Sequence, residues 1–206
     1  MNQMVDTATA RVSRPTEVRD RILEEATRLF AARGFEGTTL QQVADAVGIR
    51  KPSLLYHFPS KDDLRQRVLE TVLAHWNDVM PQLLLAATSS HGQFDGVLGE
   101  MVAFFSADPD RSRLLLREIL DRPQETRVLM RKSVRPWITA TCDYIRKGQD
   151  RGRLWAEVDP EAYVAQVISL LIASIATFEA LGTTDRKRNL QELTRIAKSS
   201  LFRPED

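Results

Sequence analysis

The sequence has little cysteine: Cys142 is the only one among 206 residues, so no disulfide can form within the chain. Such a chain suits a reducing compartment, and we expect a cytoplasmic location. Cys142 lies in the stretch TATCDYI, whose helical pattern predicts a buried, unreactive thiol. Residues 1–15 contain no apolar run of the kind that a secretory signal needs.

Histidine is equally scarce. The three histidines, His57, His75 and His91, have no metal-ligand spacing. The chain also has no HExxH sequence, no glycine-rich phosphate loop and no nucleophile motif. These absences argue against an enzyme, and we predict neither a metal nor another cofactor.

Neither sign of charge is in excess, since the formal net charge is +1. Residues 1–62 hold nine basic and eight acidic side chains, and residues 63–206 hold twenty of each. Bulk charge therefore gives no reason to expect a polyanionic partner. A nucleic-acid site would have to arise from local placement of charge.

Long hydrophobic runs are rare, and the one uncharged run is AYVAQVISLLIASIATF at 162–178. Its 17 residues are at the short limit for a membrane span, and Gln166, Ser169, Ser174 and Thr177 dilute it. We interpret it as a helix buried on most sides within protein and expect no membrane partner. A membrane span is the alternative.

Beyond residue 90 no segment alternates as a β-strand would, and from Val18 onward apolar residues recur at helical spacing. The sequence therefore predicts an all-α protein of about nine helices. We expect a disordered arm over residues 1–17, a three-helix domain over 18–62 and a larger helical domain over 63–206. Beyond residue 90 the predicted helices are 93–106, 109–121, 123–148, 160–181 and 185–202, with Pro136 bending or dividing the third of them.

The N-terminal domain has clear helix boundaries. Ile22, Ala26, Leu29 and Phe30 share one face of the first helix, and Gly34 suits the left-handed residue that ends it. Thr39 and Gln42 then have the spacing of a capping box at the start of a short second helix that stops at Gly48.

The segment AVGIRKPSLLYHFPSK, residues 46–61, contains the third helix. Pro52 is tolerated in its first turn, and Pro59 ends it after about two turns. Two short helices joined by a glycine turn form a helix-turn-helix, whose second helix enters the major groove with its N-terminal residues first.

On that interpretation, Arg50, Lys51 and Ser53 lie where base edges are met, because arginine and lysine donate to guanine. Four flanking side chains would hold phosphates: Thr39, Tyr56, His57 and Lys61. The alternative is a solvated surface helix that only packs on the first helix.

Residues 18–64 resemble the DNA-binding domain of TetR-type transcriptional regulators. The resemblance rests on ILEEATRLFAARGFEGTTLQQVADAVGI and on HFPSKDDL at 57–64. It implies phosphate contacts by Thr39, His57 and Lys61, and it places Pro52 with Arg50, Lys51 and Ser53 at the tip of the recognition helix. The sequence departs from the family pattern at Arg50, where a small hydroxyl residue is usual, and at Leu55, where tyrosine is common.

The resemblance further implies that residues 65–206 bind a small molecule and form a homodimer. Ligand-binding candidates are the larger side chains of the middle helices: Trp76, Met80, Met101, Phe105, Trp137 and Tyr144, with His75, Tyr144 and Glu118 as polar anchors. An ordinary core is the alternative for each apolar candidate.

Dimer candidates lie on the last two predicted helices: Gln166, Ser169, Leu170, Ala173, Leu193 and Ile196. A monomeric core is the alternative here.

Taken together, the sequence predicts a DNA-binding regulator and most simply a repressor. It would bind a palindromic double-stranded operator as a homodimer and leave it when a small, mostly apolar effector binds. An activator or dual regulator of the same family is one alternative. A helical protein-interaction scaffold without DNA binding is another, from a different class.

Overall fold

A computed structural model describes the backbone of residues 15–86, 90–182 and 185–203, together with their side chains except those of 15 and 75–93. Ten α-helices and no β-strand are present in these ranges. In chain order the helices are α1 Pro15–Arg33, α2 Leu40–Val47, α3 Lys51–His57, α4 Lys61–Ala86, α5 Ser90–Ala107, α6 Pro109–Asp121, α7 Pro123–Ser133, α8 Arg135–Asp150, α9 Pro160–Thr177 and α10 Arg186–Ser199.

The all-α prediction is confirmed, and the helix count is ten rather than about nine because the segment 123–148 is divided. Val134 separates α7 from α8, and Pro136 lies in the first turn of α8. Proline is tolerated there because the first amides of a helix have no partner within the helix. Helix α1 begins at Pro15, so residues 15–17 of the expected arm are helical; residues 1–14 lie outside the described ranges.

Side-chain caps account for several helix boundaries. Asp108 accepts a hydrogen bond from the Asp110 amide at 3.1 Å, and Asp159 accepts one from the Ala162 amide at 2.8 Å. Each aspartate is followed by proline at the first helical position. Each aspartate–proline pair therefore fixes the residue at which its helix begins.

Helix α6 is central to the packing of the molecule. It packs against α9, α1, α7 and α5, and α9 packs in turn on α8, α5 and α10. Leu114 and Leu115 of α6 are almost fully buried, as are Leu171 of α9 and Phe30 of α1. Helix α1 therefore packs on α6 as well as on α2 and α4.

Helix α9 differs from its prediction as a helix buried on most sides. Only 28% of its residues are buried in the single chain. Its length and composition would also suit a membrane span. Tyr163, Val164, Leu171, Ile172 and Ile175 form the buried face. Ala162, Ala165 and Leu170 lie on an outer face that stays exposed among the described residues.

Candidate nucleic-acid interface and sensor cavity

The turn between α2 and α3 is held by backbone and side-chain hydrogen bonds. Gly48 adopts φ 76° and ψ 33°, a left-handed conformation that glycine reaches without a Cβ penalty. The Ile49 amide donates to the Ala44 carbonyl at 3.0 Å. From α1, a terminal nitrogen of Arg21 donates to the Val47 carbonyl at 2.6 Å. The turn is therefore rigid, and the angle between α2 and α3 is set.

Helix α3 is anchored from below by apolar side chains. Leu54 is fully buried and Phe58 is 1% exposed. Leu55 and Tyr56 are exposed instead, with Tyr56 at 85%. The Tyr56 ring contacts the His57 ring edge-on, with the ring centres 5.4 Å apart. A helix of about two turns thus presents one polar face on an anchored base, as the sequence predicted.

The tip of α3 is exposed throughout. Arg50, Lys51, Pro52 and Ser53 are all exposed. Arg50 occupies the N-cap position in an extended conformation, and its side chain makes no capping hydrogen bond. The structure therefore brings these four predicted residues together at one helix end, with two cationic side chains directed away from the core.

The phosphate-contact candidates have different surroundings. Thr39 is exposed and forms the predicted capping box: its hydroxyl accepts from the Gln42 amide at 3.2 Å, and the Gln42 side chain accepts from the Thr39 amide at 2.9 Å. Lys61 is half-buried, and its ammonium lies 4.2 Å from the centre of the Phe35 ring. Lys61 must share or leave that cation–π contact to meet a phosphate. His57 is half-buried beside Tyr56.

Sequence reasoning missed how the N-terminal helices are attached to α6. Arg117 of α6 donates through Nε to the Ala31 carbonyl at 2.8 Å, at the C-terminal end of α1. Arg122 donates to Glu36 at 2.9 Å, and its guanidinium lies 4.3 Å from the centre of the Phe35 ring. Cationic groups suit the C-terminal end of a helix, where carbonyls lack partners.

A buried ion pair completes this junction. Arg65 of α4 donates through Nε and a terminal nitrogen to one carboxylate oxygen of Glu118, at 2.8 and 2.5 Å. The two side chains are 9% and 5% exposed. The Glu118 carbonyl also accepts from the Thr126 hydroxyl at 2.9 Å. Glu118 is therefore a partner of Arg65 and not the polar anchor of a ligand site that the sequence suggested.

An apolar cavity lies between α5, α8 and α9. Its lining includes the predicted Met101, Trp137 and Tyr144. The other lining residues come from the same three helices: Phe94, Val97, Leu98, Thr141, Tyr163, Val164, Val167 and Ile168. The cavity volume is about 40 Å³, well below the roughly 300 Å³ at which small-molecule sites begin.

One other ligand candidate, Phe105, does not join the described lining of the cavity. Phe105 is buried and packs edge-on against Phe104 at 5.1 Å, so it belongs to the core and not to the cavity wall. The Trp76 and Met80 side chains lie outside the described residues, as does His75.

The predicted dimer residues divide into two groups. Gln166, Ser169, Leu170 and Ile196 are exposed and Ala173 is half-buried, which fits an outer face on α9 and α10. Leu193 is 4% exposed within its own chain, so it belongs to the core and is corrected as an interface residue. Helical periodicity could not separate the two faces of α10, because Leu193 and Ile196 are both apolar and three residues apart.

Comparison with known proteins identifies the N-terminal part. Residues 22–68 match the family model described as bacterial regulatory proteins, tetR family. The HTH-type transcriptional repressor KstR2 of Mycolicibacterium smegmatis is 31% identical over 117 residues, which cover 54% of this chain and 56% of that protein. The biofilm operon icaADBC HTH-type negative transcriptional regulator IcaR of Staphylococcus aureus (strain Newman) is 26% identical over 108 residues, covering 52% of this chain and 56% of that protein.

The whole fold also has a solved counterpart. The ketosteroid transcriptional regulator KstR2 of Mycobacterium tuberculosis superposes with a TM-score of 0.75 over 90% of this chain and 95% of that chain, at 17% identity. At that identity the likeness concerns the fold alone, and the chain aligns with only about half the length of the curated relatives. The family-model match places residues 22–68 with the bacterial regulatory proteins of the tetR family, and the rest of the chain shares the fold of a solved transcriptional regulator.

Proposed function

We propose that the protein is a DNA-binding transcriptional regulator that acts as a repressor and not as an enzyme. The observation that carries this proposal is the anchored recognition helix: Leu54 and Phe58 are buried while Arg50, Lys51 and Ser53 are exposed at its tip. A solvated surface helix would not need a turn held by a left-handed glycine and by Arg21. The relatives KstR2 and IcaR are named as a repressor and a negative regulator.

The operator is proposed to be a palindrome bound by a homodimer. One short recognition helix binds DNA weakly, and two-fold symmetric dimers place their recognition helices about 34–36 Å apart on the duplex. The exposed face of α9 and α10 offers the surface for such a dimer, because Leu170 and Ile196 are 38% and 47% exposed. We assign the apolar character of α9 to this interface rather than to a membrane, and the protein to the cytoplasm.

A small, mostly apolar effector is proposed to enter the cavity between α5, α8 and α9. The lining is aromatic and aliphatic, and the Thr141 hydroxyl already donates to the Trp137 carbonyl at 2.9 Å. The structural relative from Mycobacterium tuberculosis is named as a ketosteroid regulator, and a ketosteroid is an apolar molecule of this kind. An effector changes DNA affinity only if it binds the DNA-incompetent state more tightly.

Helix α4 is the proposed route from cavity to DNA. It begins at Lys61, next to α3, and extends to Ala86, packing against α5, α7 and α8. A shift of α4 would change the distance between the two recognition helices of the dimer. Recognition helices spaced wrongly for the half-sites would then release the operator.

The test is a DNA-binding titration over a salt series. The probes are a duplex from upstream of the protein's own gene and a random duplex of equal length. We expect the affinity for the upstream duplex to fall steeply with salt, because phosphate contacts release counterions. Absence of binding to either duplex at about 50 mM salt would overturn the regulator in favour of a protein-interaction scaffold.

Two lysine variants separate base reading from phosphate binding. Lys51→Ala should cost about 1–3 kcal/mol on the upstream duplex and relax sequence preference. Lys61→Ala should weaken both duplexes alike and lower the salt slope by about 1. Lys147→Ala, which removes an exposed lysine of α8, is the control and should change neither. An equal loss on both duplexes would remove Lys51 from the base-reading role.

A further inference from the structure

The cavity wall is tied directly to α10. Tyr163, which lines the cavity from α9, donates its hydroxyl hydrogen to the Ala197 carbonyl of α10 at 2.6 Å. Tyr163 is 8% exposed, and burial raises the pKa of its phenol, so the donor form persists at physiological pH. A movement of the α9 wall at Tyr163 therefore moves the acceptor on α10 or breaks a buried hydrogen bond.

A second link runs from the opposite wall. Phe94, which lines the cavity from α5, contacts Phe202 edge-on, with ring centres 5.2 Å apart and planes at 79°. One residue along α5, the Asp95 carboxylate pairs with the Lys198 ammonium at 2.6 Å. The end of α10 and the residues after it therefore contact both the α5 wall and the α9 wall.

The segment after α10 is fixed in place by its own hydrogen bonds. We call residues 201–203 the C-terminal clasp. The Trp155 amide donates to the Leu201 carbonyl at 3.0 Å, and the Arg203 amide donates to the Arg153 carbonyl at 3.3 Å. Leu201 is fully buried and Phe202 is 8% exposed. Because both its backbone and its side chains are held, the clasp moves together with the cavity walls when they are displaced.

The size of the cavity makes such a displacement necessary. About 40 Å³ is available, whereas small-molecule sites span roughly 300–1,000 Å³. An effector can enter only if α5, α8 and α9 move apart. Because protein interiors are close-packed, walls that move apart carry their contacts with them.

We propose that α10 and the C-terminal clasp couple the filling of the cavity to the strength of the dimer. The proposal rests on the homodimer proposed above, whose face includes Leu170 of α9 and Ile196 of α10. Ile196 is adjacent to Ala197, the acceptor of the Tyr163 hydroxyl. The effector thus acts on the geometry between subunits through α10, in addition to the route through α4. By linkage, dimerisation changes effector affinity by the same factor as the effector changes dimer affinity.

In the experiment, a larger side chain fills the cavity in place of the unidentified effector. Val97→Phe enlarges a residue that lines the cavity from α5, and Val102→Phe makes the same change on α5 outside the lining. Both valines are half-buried, so the pair is matched. Dimer dissociation constants are measured by sedimentation. We expect Val97→Phe to change the constant by about fivefold or more, and Val102→Phe to leave it within about twofold of the wild type, a difference below the usual range of coupling.

The links themselves are tested in a second background. Tyr163→Phe removes only the hydroxyl, and Phe202→Leu removes the ring contact while it keeps an apolar side chain. The second background carries both Tyr163→Phe and Phe202→Leu. If α10 and the clasp carry the coupling, Val97→Phe in this background changes the dimer dissociation constant no more than the Val102→Phe control does. An undiminished effect overturns the assigned route. If Val97→Phe does not fold, Val97→Ile and a titration of wild-type protein with 1-decanol replace it.

The outcomes distinguish this inference from the proposed function. A wild-type chain that stays monomeric overturns the homodimer and the coupling together. A wild-type dimer whose constant is unchanged by Val97→Phe overturns the coupling alone and leaves operator binding untouched.

Discussion

At the scale of single residues, the most consequential contact is the pair of Arg65 and Glu118. The two residues are 53 positions apart, and no sequence pattern associates them. The pair joins α4, which follows the recognition helix, to the end of α6, which carries α1. Removing one partner of a buried pair leaves the other charge uncompensated, whereas replacing both by apolar residues can be nearly neutral.

We therefore predict that Glu118→Leu destabilises the protein by about 3–5 kcal/mol, because the Arg65 guanidinium stays buried without its carboxylate. The double variant Arg65→Met/Glu118→Leu should recover most of that loss. Urea unfolding followed by circular dichroism measures both. Exposed Arg146–Asp143, at 54% and 57% exposure, is the control pair, and Asp143→Leu should cost no more than about 1 kcal/mol. A double variant as unstable as Glu118→Leu would contradict the prediction.

Cys142 shows a residue-scale property that the sequence predicted well. Its side chain is 3% exposed, as the apolar helical pattern around it indicated. Burial raises the pKa of the Cys142 thiol, because desolvation disfavours the thiolate. The residue is therefore a packing element of α8 and a poor nucleophile.

At the scale of elements, close packing between α8 and Leu154 fixes the path of the chain between α8 and α9. Gly148 of α8 faces Leu154, and a Cβ at position 148 would lie 2.5 Å from Leu154 Cδ1 and 2.7 Å from Cγ. The Arg153 amide also donates to the Gly148 carbonyl at 3.0 Å. Leu154 forms a backbone bridge with Phe202, so this contact positions the C-terminal clasp.

We predict that Gly148→Ala destabilises the protein by about 1–3 kcal/mol. Alanine gains roughly 1 kcal/mol of helix propensity, but the buried Leu154 side chain must be displaced to admit the methyl group. The shift in thermal unfolding temperature measures the net effect of these two contributions on stability. Gly99→Ala is the control, because no atom of the described residues lies within 4 Å of its added Cβ and the helix propensity gain is therefore unopposed. A Gly148→Ala variant as stable as Gly99→Ala would show that Leu154 can move freely.

At the scale of the whole molecule, the distribution of apolar surface separates interface from core. Leu170 and Ile196 are exposed in the single chain, and the groove between α9 and α10 includes Ala162 and Gln166. Val128 on α7 is more exposed than either, at 70%, but it lies outside this groove. Exposure of one apolar residue needs no explanation, whereas a continuous apolar face on two helices favours a partner.

We predict that Leu170→Glu and Ile196→Glu each convert the proposed dimer to a monomer, because each places an unpaired carboxylate in the proposed interface. The monomers should bind the upstream duplex no better than the random one, since one recognition helix is then left. Sedimentation and the DNA titration measure the two effects. Val128→Glu is the control and should remain dimeric. A dimeric Leu170→Glu variant would place the interface elsewhere.

The local structure of the protein follows from its sequence alone. Capping residues, prolines and glycines act through neighbours in the chain, so the box of Thr39 and Gln42, the turn at Gly48 and the two-turn helix ending before Pro59 could all be predicted. The exposed tip of α3 follows from the same local rules, because Leu54 and Phe58 define its buried side.

Which apolar and charged residues meet across the fold depends on how the helices pack. Periodicity identifies an apolar face but not what covers it, so the sequence predicts Phe105 and Leu193 in binding and dimer sites although both belong to the core. The pairing of Arg65 with Glu118 and the contact of Lys61 with Phe35 depend on how α4, α6 and the end of α1 pack together. Side-chain partners far apart in sequence are chosen by packing geometry, which no local pattern encodes.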